Sequence, residues 1–124
     1  MIVRRLLRAT AILVMLAGEA EAQTFTPQSS SRLTVSFTTE RVGSGRLLVY
    51  GEVRNGNNSA CERVIVSVEG LDENGRVVSR GRAYVFGVVP ARGSSPFEVR
   101  LASPGSEKRY RVEIESFQFV SSGN

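Results

Sequence analysis

The chain has 124 residues, 16 Lys+Arg against 12 Asp+Glu, no His, no Trp and a single Cys. Without His there is no imidazole to serve as general base, triad member or zinc ligand. One Cys makes neither an internal disulfide nor a cysteine-rich metal site.

Residues 1–22 read as a secretory signal peptide. Arg4, Arg5 and Arg8 form a positive n-region, and Ala9 to Ala17 is a short apolar run. Ala20-Glu21-Ala22 then supplies small residues where signal peptidase reads, with Gln23 as the new N-terminus. The apolar run is roughly 8–9 residues, and a membrane-spanning helix needs about 20. No Cys follows it, so the acylation site of a bacterial lipoprotein is missing. Val3-Arg4-Arg5-Leu6-Leu7-Arg8 resembles a twin-arginine signal, with ordinary Sec export the expected route. Export to the periplasm or the extracellular space is the expected localisation, with no membrane span left after cleavage. The leader takes three Arg and two Glu with it, leaving 13 cations against 10 anions in the mature chain. Twelve of those cations are Arg, and Lys108 is the thirteenth. A charge of +3 is too mild to argue for nucleic acid, and no nucleic-acid partner is expected.

Gln23 to Ser31 is polar, with Pro27 and three serines, and reads as a flexible leader segment over 23–31. From residue 32 to Val120 apolar residues recur at every second position, the period of a half-buried strand. Leu33, Val35 and Phe37 mark a first strand ending near Arg41, and Gly43-Ser44-Gly45 a turn. Arg46 to Arg54 is the second, with Leu47, Val49, Gly51 and Val53 on one face; Asn55 to Ser59 is a loop. Glu62 to Leu71 follows, its Val64, Val66 and Val68 on one parity. Asp72-Glu73-Asn74-Gly75 is a hairpin turn, because Asp bonds its own backbone two residues on and Gly75 admits a positive φ. Arg76 to Phe86 is the next strand, weakened or bulged at Gly81. Gly87 to Pro96 is a loop, Phe97 to Leu101 a short strand, and Ser103-Pro104-Gly105-Ser106 a turn. Tyr110, Val112 and Ile114 begin a last strand that can run on through Phe117 and Phe119, leaving 121–124 as a tail. Six or seven strands with turns every 8–12 residues and no helical period predict one all-β domain over 32–120. Its expected form is an antiparallel immunoglobulin-like β-sandwich.

Three runs carry a family resemblance: Val49-Tyr50-Gly51-Glu52-Val53-Arg54-Asn55, then Val64-Ile65-Val66-Ser67-Val68, then Leu71 to Val78 with Asp72 and Gly75. With Val89-Pro90-Ala91-Arg92-Gly93 and Phe97 they resemble the FxLYD domain family over about Leu47 to Glu115. At Val68-Glu69-Gly70-Leu71-Asp72, where that family has its naming motif, this chain keeps the Asp alone, and Ala91-Arg92 splits the Pro-Gly pair. The resemblance implies an immunoglobulin-like fold in exported prokaryotic proteins and transfers no catalytic residues.

The candidate sites each have a structural explanation. Cys61 is either an intermolecular disulfide partner or a small buried hydrophobe, and burial is expected. Asp72, Glu73 and Asn74 lack the further oxygen ligands of a calcium loop and read as a turn, so no metal is expected. Glu113 and Glu115 share a face, with Glu107 nearby, and alternate with Val112 and Ile114; they point to solvent. Asn57-Asn58-Ser59 fits a glycosylation sequon, which in a bacterial chain is turn composition. Gly51 and Gly56 open no phosphate loop, and no cofactor is expected. Arg76, Arg80, Arg82 and Tyr84 share one parity with Val78, and Phe86 extends the row. This cationic–aromatic stripe is the one candidate binding face, suited to an envelope protein or an acidic polymer. The opposite parity, Val77, Ala83 and Val85, is equally apolar, so periodicity leaves open which row faces the core.

The expected function is therefore a non-catalytic exported binding or accessory module. A structural subunit self-associating through an edge strand is the alternative. A small hydrolase is the remote third class, because His, a nucleophile elbow and a buried carboxylate pair are all missing from the pattern. The sequence leaves the oligomeric state open.

Overall fold

The computed structural model describes residues 32–120 throughout, and the backbone of 13–16 and 23–25. Most of the expected signal peptide and leader, and the tail, therefore lie outside the described residues. The described chain is all β, in eight antiparallel strands: β1 (Leu13–Leu16), β2 (Gln23–Phe25), β3 (Leu33–Arg41), β4 (Arg46–Asn55), β5 (Cys61–Leu71), β6 (Val77–Tyr84), β7 (Ser94–Ala102) and β8 (Arg109–Phe119). Two sheets form, in the orders β1-β8-β5-β6 and β2-β3-β4-β7. The six long strands, β3 to β8, supply three to each sheet, within the six or seven that the alternation predicts.

The alternation decides the core. Leu33, Val35 and Phe37 of β3, Leu47, Val49 and Val53 of β4, and Phe97, Val99 and Leu101 of β7 point inward from one sheet. Val64, Val66 and Val68 of β5 and Tyr110, Val112 and Ile114 of β8 meet them from the other. Each large side chain taken fully from water contributes about 1.5–3 kcal/mol, so a one-residue slip of any strand would forfeit several such terms together. The rows interdigitate large with small. Gly51 lies between Phe37 and Phe97, its partners on the two neighbouring strands. A Cβ at Gly51 would run into the Ser36 carbonyl oxygen and come within 2.8 Å of Phe37 Cα.

Several boundaries differ from the sequence reading. β6 stops at Tyr84 and not Phe86, because the chain there crosses between sheets: the Val85 amide bonds the Val64 carbonyl of β5, whereas the Phe86 amide bonds the Pro96 carbonyl of β7. The expected loop through Pro96 is correspondingly shorter, since β7 already begins at Ser94. Proline is tolerated because β7 is an edge strand with β4 as its ladder partner. The irregularity expected at Gly81 falls instead at Gly70/Leu71 of β5, and Gly81 pairs in register with Val68. β5 has a second irregularity between Glu62 and Val66, where Arg63 takes a φ of 53°.

The hairpin at Asp72 forms as its composition dictates. Asp72 Oδ1 accepts the amides of Asn74 and Arg76, each at 2.9 Å, and Gly75 has a φ of 80°. Asn55, expected in a loop, is instead the buried last residue of β4. Its amide donates to the Ser59 carbonyl at 2.8 Å, and its Oδ1 accepts the Asn57 backbone and side-chain amides, each at 2.9 Å. One polar side chain thus supplies the turn that carries β4 across to β5.

Candidate functional site

The Arg76–Tyr84 stripe projects outward. Arg76, Arg80, Arg82 and Tyr84 are exposed, as are Phe86 and Val88 beyond them, whereas Ser79 and Val85 on the other parity are buried. The row that faces the core is therefore the one carrying Ala83 and Val85, with Val77 left exposed at its start.

On the outer face of this sheet the strands set cations against anions. Glu69 of β5 stands between Arg80 of β6 and Arg111 of β8, its register partners on either side. The N···O distances are 3.4 Å to Arg80 and 2.9 Å to Arg111. Arg82 reaches diagonally across Ser67 to Glu115, 2.8 Å away. These groups, with Glu113, line an open groove of about 480 Å³. Arg76 donates its backbone amide to the Asp72 turn and lies outside that groove. Tyr84 (61% exposed), Phe86 (58%) and Val88 (46%) continue the row as an uncovered apolar ledge. Two of the three expected binding cations thus already have carboxylate partners within the chain. What is left uncommitted is Arg76 and the aromatic and aliphatic surface.

Glu107 is the group the sequence reading misplaced. It does not join Glu113 and Glu115 on the outer face but is buried at the base of the two sheets, its side chain 1% exposed. Ser103 Oγ donates to Glu107 Oε2 at 2.6 Å and accepts from Arg41 at 2.8 Å. The Arg41 guanidinium lies 3.6 Å from Glu107 Oε1. Burial alone would raise this carboxyl's pKa. The Ser103 hydroxyl, its own backbone amide and the Arg41 charge outweigh that and hold it below the ordinary 4.5. Gly70 leaves the space for it: a Cβ there would strike Ser79 Oγ and lie 2.5 Å from Glu107 Cγ. The sequence signal was the glycine in an otherwise valine-rich strand, which implies that something packs against the backbone.

Cys61 is fully buried, and desolvation pushes its thiol up to about 11. Among the described residues no three His, Cys, Asp or Glu side chains cluster so as to hold a metal ion. No helix among them is long and apolar enough to cross a membrane.

No family model matches the chain, and no curated protein does. Among solved structures the chain is similar to the Salmonella enterica trimeric lipoprotein SadB, with a TM-score of 0.56 at 5% identity over 82% of this chain and 59% of that one. The chain thus spans little more than half of that protein's structure, and at this identity the likeness concerns the fold. An arabinose-bound MgGH51 α-L-arabinofuranosidase (TM-score 0.30, 12% identity, 86% of this chain and 22% of that one) also matches. So does the bacteriophage CBA120 tailspike protein 4 (TM-score 0.27, 10% identity, 87% and 18%). Neither carries an argument at such scores.

Proposed function

We propose that this chain is a non-catalytic accessory module of the cell envelope. In this reading it is exported, cut after Ala22 and folded as an immunoglobulin-like sandwich of the FxLYD type. It acts by surface recognition of another envelope protein. The observation that carries the reading is the composition of the outer sheet face. Arg80 and Arg82 are matched by Glu69 and Glu115, and the uncommitted surface beside them is Tyr84, Phe86 and Val88. An acidic polymer would need a row of unmatched cations, and among the described residues of this stripe Arg76 alone is unmatched. A protein partner can bury the apolar ledge and exchange the rim ion pairs. A second reading, a self-associating structural subunit, is favoured by the flank of β8 beyond Val112, which no strand among the described residues covers, and by a structural neighbour described as trimeric.

A photocrosslinking amino acid at position 84 or 86, in the chain expressed with its own leader, tests the proposal. Discrete adducts with an envelope protein are expected from these two positions and not from position 34 on the other sheet. No adduct at either position, or adducts equally strong from all three, would refute the recognition surface.

A further inference from the structure

β8 is the long strand at the outer side of its sheet. β5 lies along one flank; on the other, the short β1 runs antiparallel to Arg109–Val112. Beyond Val112 that second flank meets no strand among the described residues. An unpaired strand edge is a template for another chain. The β1 pairing shows that this one admits an antiparallel neighbour.

The sequence of β8 says which neighbour suits it. Residues 109–115 read Arg-Tyr-Arg-Val-Glu-Ile-Glu. Laid antiparallel against a second copy of itself with Val112 opposite Val112, the strand sets Arg111 opposite Glu113 and Arg109 opposite Glu115, twice each. On the inner face the same register sets Tyr110 opposite Ile114. Tyr110, Val112 and Ile114 are buried core residues, so joining the strands continues the apolar layer from one molecule into the next. Opposite charges directly across an antiparallel pair are favourable, and like charges unfavourable. Within one molecule Arg111 is paired to Glu69 and Glu115 to Arg82, whereas Arg109 and Glu113 make no ion pair among the described residues. Each cross-strand pair would therefore join one committed charge to one uncommitted charge. The rows Arg80–Glu69–Arg111 and Arg82–Glu115 would each gain an opposite charge from the partner.

We propose that two copies of this chain associate through β8 about a two-fold axis at Val112, fusing their sheets into one of six long strands. Such a contact is isologous and closes after two subunits. The inference deepens the self-associating reading. It also uses the export reading, because the cleaved leader includes β1, which would otherwise hold the edge.

Native mass spectrometry on the chain exported with its own leader tests it. The expected species is a dimer. Arg109→Glu, which disturbs no ion pair within the molecule, is expected to weaken the dimer at least tenfold. The triple variant Arg109→Glu, Glu115→Arg and Arg82→Glu keeps the cross-strand pair and the internal pair opposite in sign; it is expected to restore the dimer, with circular dichroism confirming the fold of each variant. A wild-type monomer or trimer, or a dimer indifferent to Arg109→Glu, would overturn the interface. The measured mass reports separately on the leader: a monomer cut after Ala22 would overturn the seam alone, whereas a chain still carrying residues 1–22 would overturn the export reading on which the open edge rests.

Discussion

Glu107 is a carboxylate taken almost wholly out of water and still held ionised, because Ser103, its own amide and Arg41 converge on it. A buried charge of this kind contributes to stability while its partners are present, and removing one partner is costly. Glu107→Gln is expected to cost about 1–3 kcal/mol at neutral pH, the usual worth of a hydrogen bond to a charged group. The pH dependence follows from the direction of the shift. A folded-state pKa below the ordinary 4.5 means that the ionised group contributes fully above that value. Its contribution is lost as pH falls through the folded value. Urea unfolding between pH 7 and pH 3 checks this: the gap between wild type and variant should be constant at neutral pH and narrow below about 4.5. Asn55 acts similarly at the opposite end. Its four hydrogen-bonding positions are spent on Ser59, Val89 and Asn57, which makes a buried polar residue acceptable in the core.

Among the elements, β4 is the central strand of its sheet, and Gly51 sets how closely β3 approaches it. The neighbouring backbone occupies the place of a side chain, so the obstruction cannot be relieved by a rotamer change. Gly51→Ala is expected to lose about 2 kcal/mol or more from overpacking, read as a lower urea midpoint with an unchanged slope. The valine-rich β5 and the Asp72 hairpin were legible from parity and turn chemistry, since both are local. The ends of β6 and β7 were not. Their limits depend on the chain crossing from the Val64 carbonyl to the Pro96 carbonyl, a choice made between strands distant in sequence. In β6 both parities are apolar enough to be buried. The facing sheet, which takes Val85 into its core, settled what periodicity left open.

At the scale of the whole molecule, one core is closed between two sheets that are built largely from contacts distant in sequence. Cys61 reports on that core. It is fully buried, with its thiol raised to about 11, so alkylation should wait for unfolding. Iodoacetamide at pH 8 is expected to label the native chain at least ~10³-fold more slowly than the urea-unfolded chain, given the usual folding equilibria of small domains. Labelling of the native chain at the free-thiol rate would place Cys61 at the surface. The tight core also explains why the charged groups of β5, β6 and β8 stand together on the outer face: once the valine rows turn inward, Glu69, Arg80, Arg82, Arg111 and Glu115 have nowhere else to go.

The sequence by itself determined the all-β class, the six long strands, the inward rows of every long strand but β6 and the hairpin turns, because a period of two and the backbone preferences of Asp, Asn and Gly act over a few residues. It also contained the charge order of β8, although nothing in one strand reveals that its edge faces outward. Only the tertiary structure decided that Glu107 is buried and Arg80 and Arg82 are matched. It alone put Tyr84, Phe86 and Val88 on open surface. Those outcomes depend on which strands become neighbours and on which space a glycine leaves free. They are properties of packing between segments that no local pattern encodes.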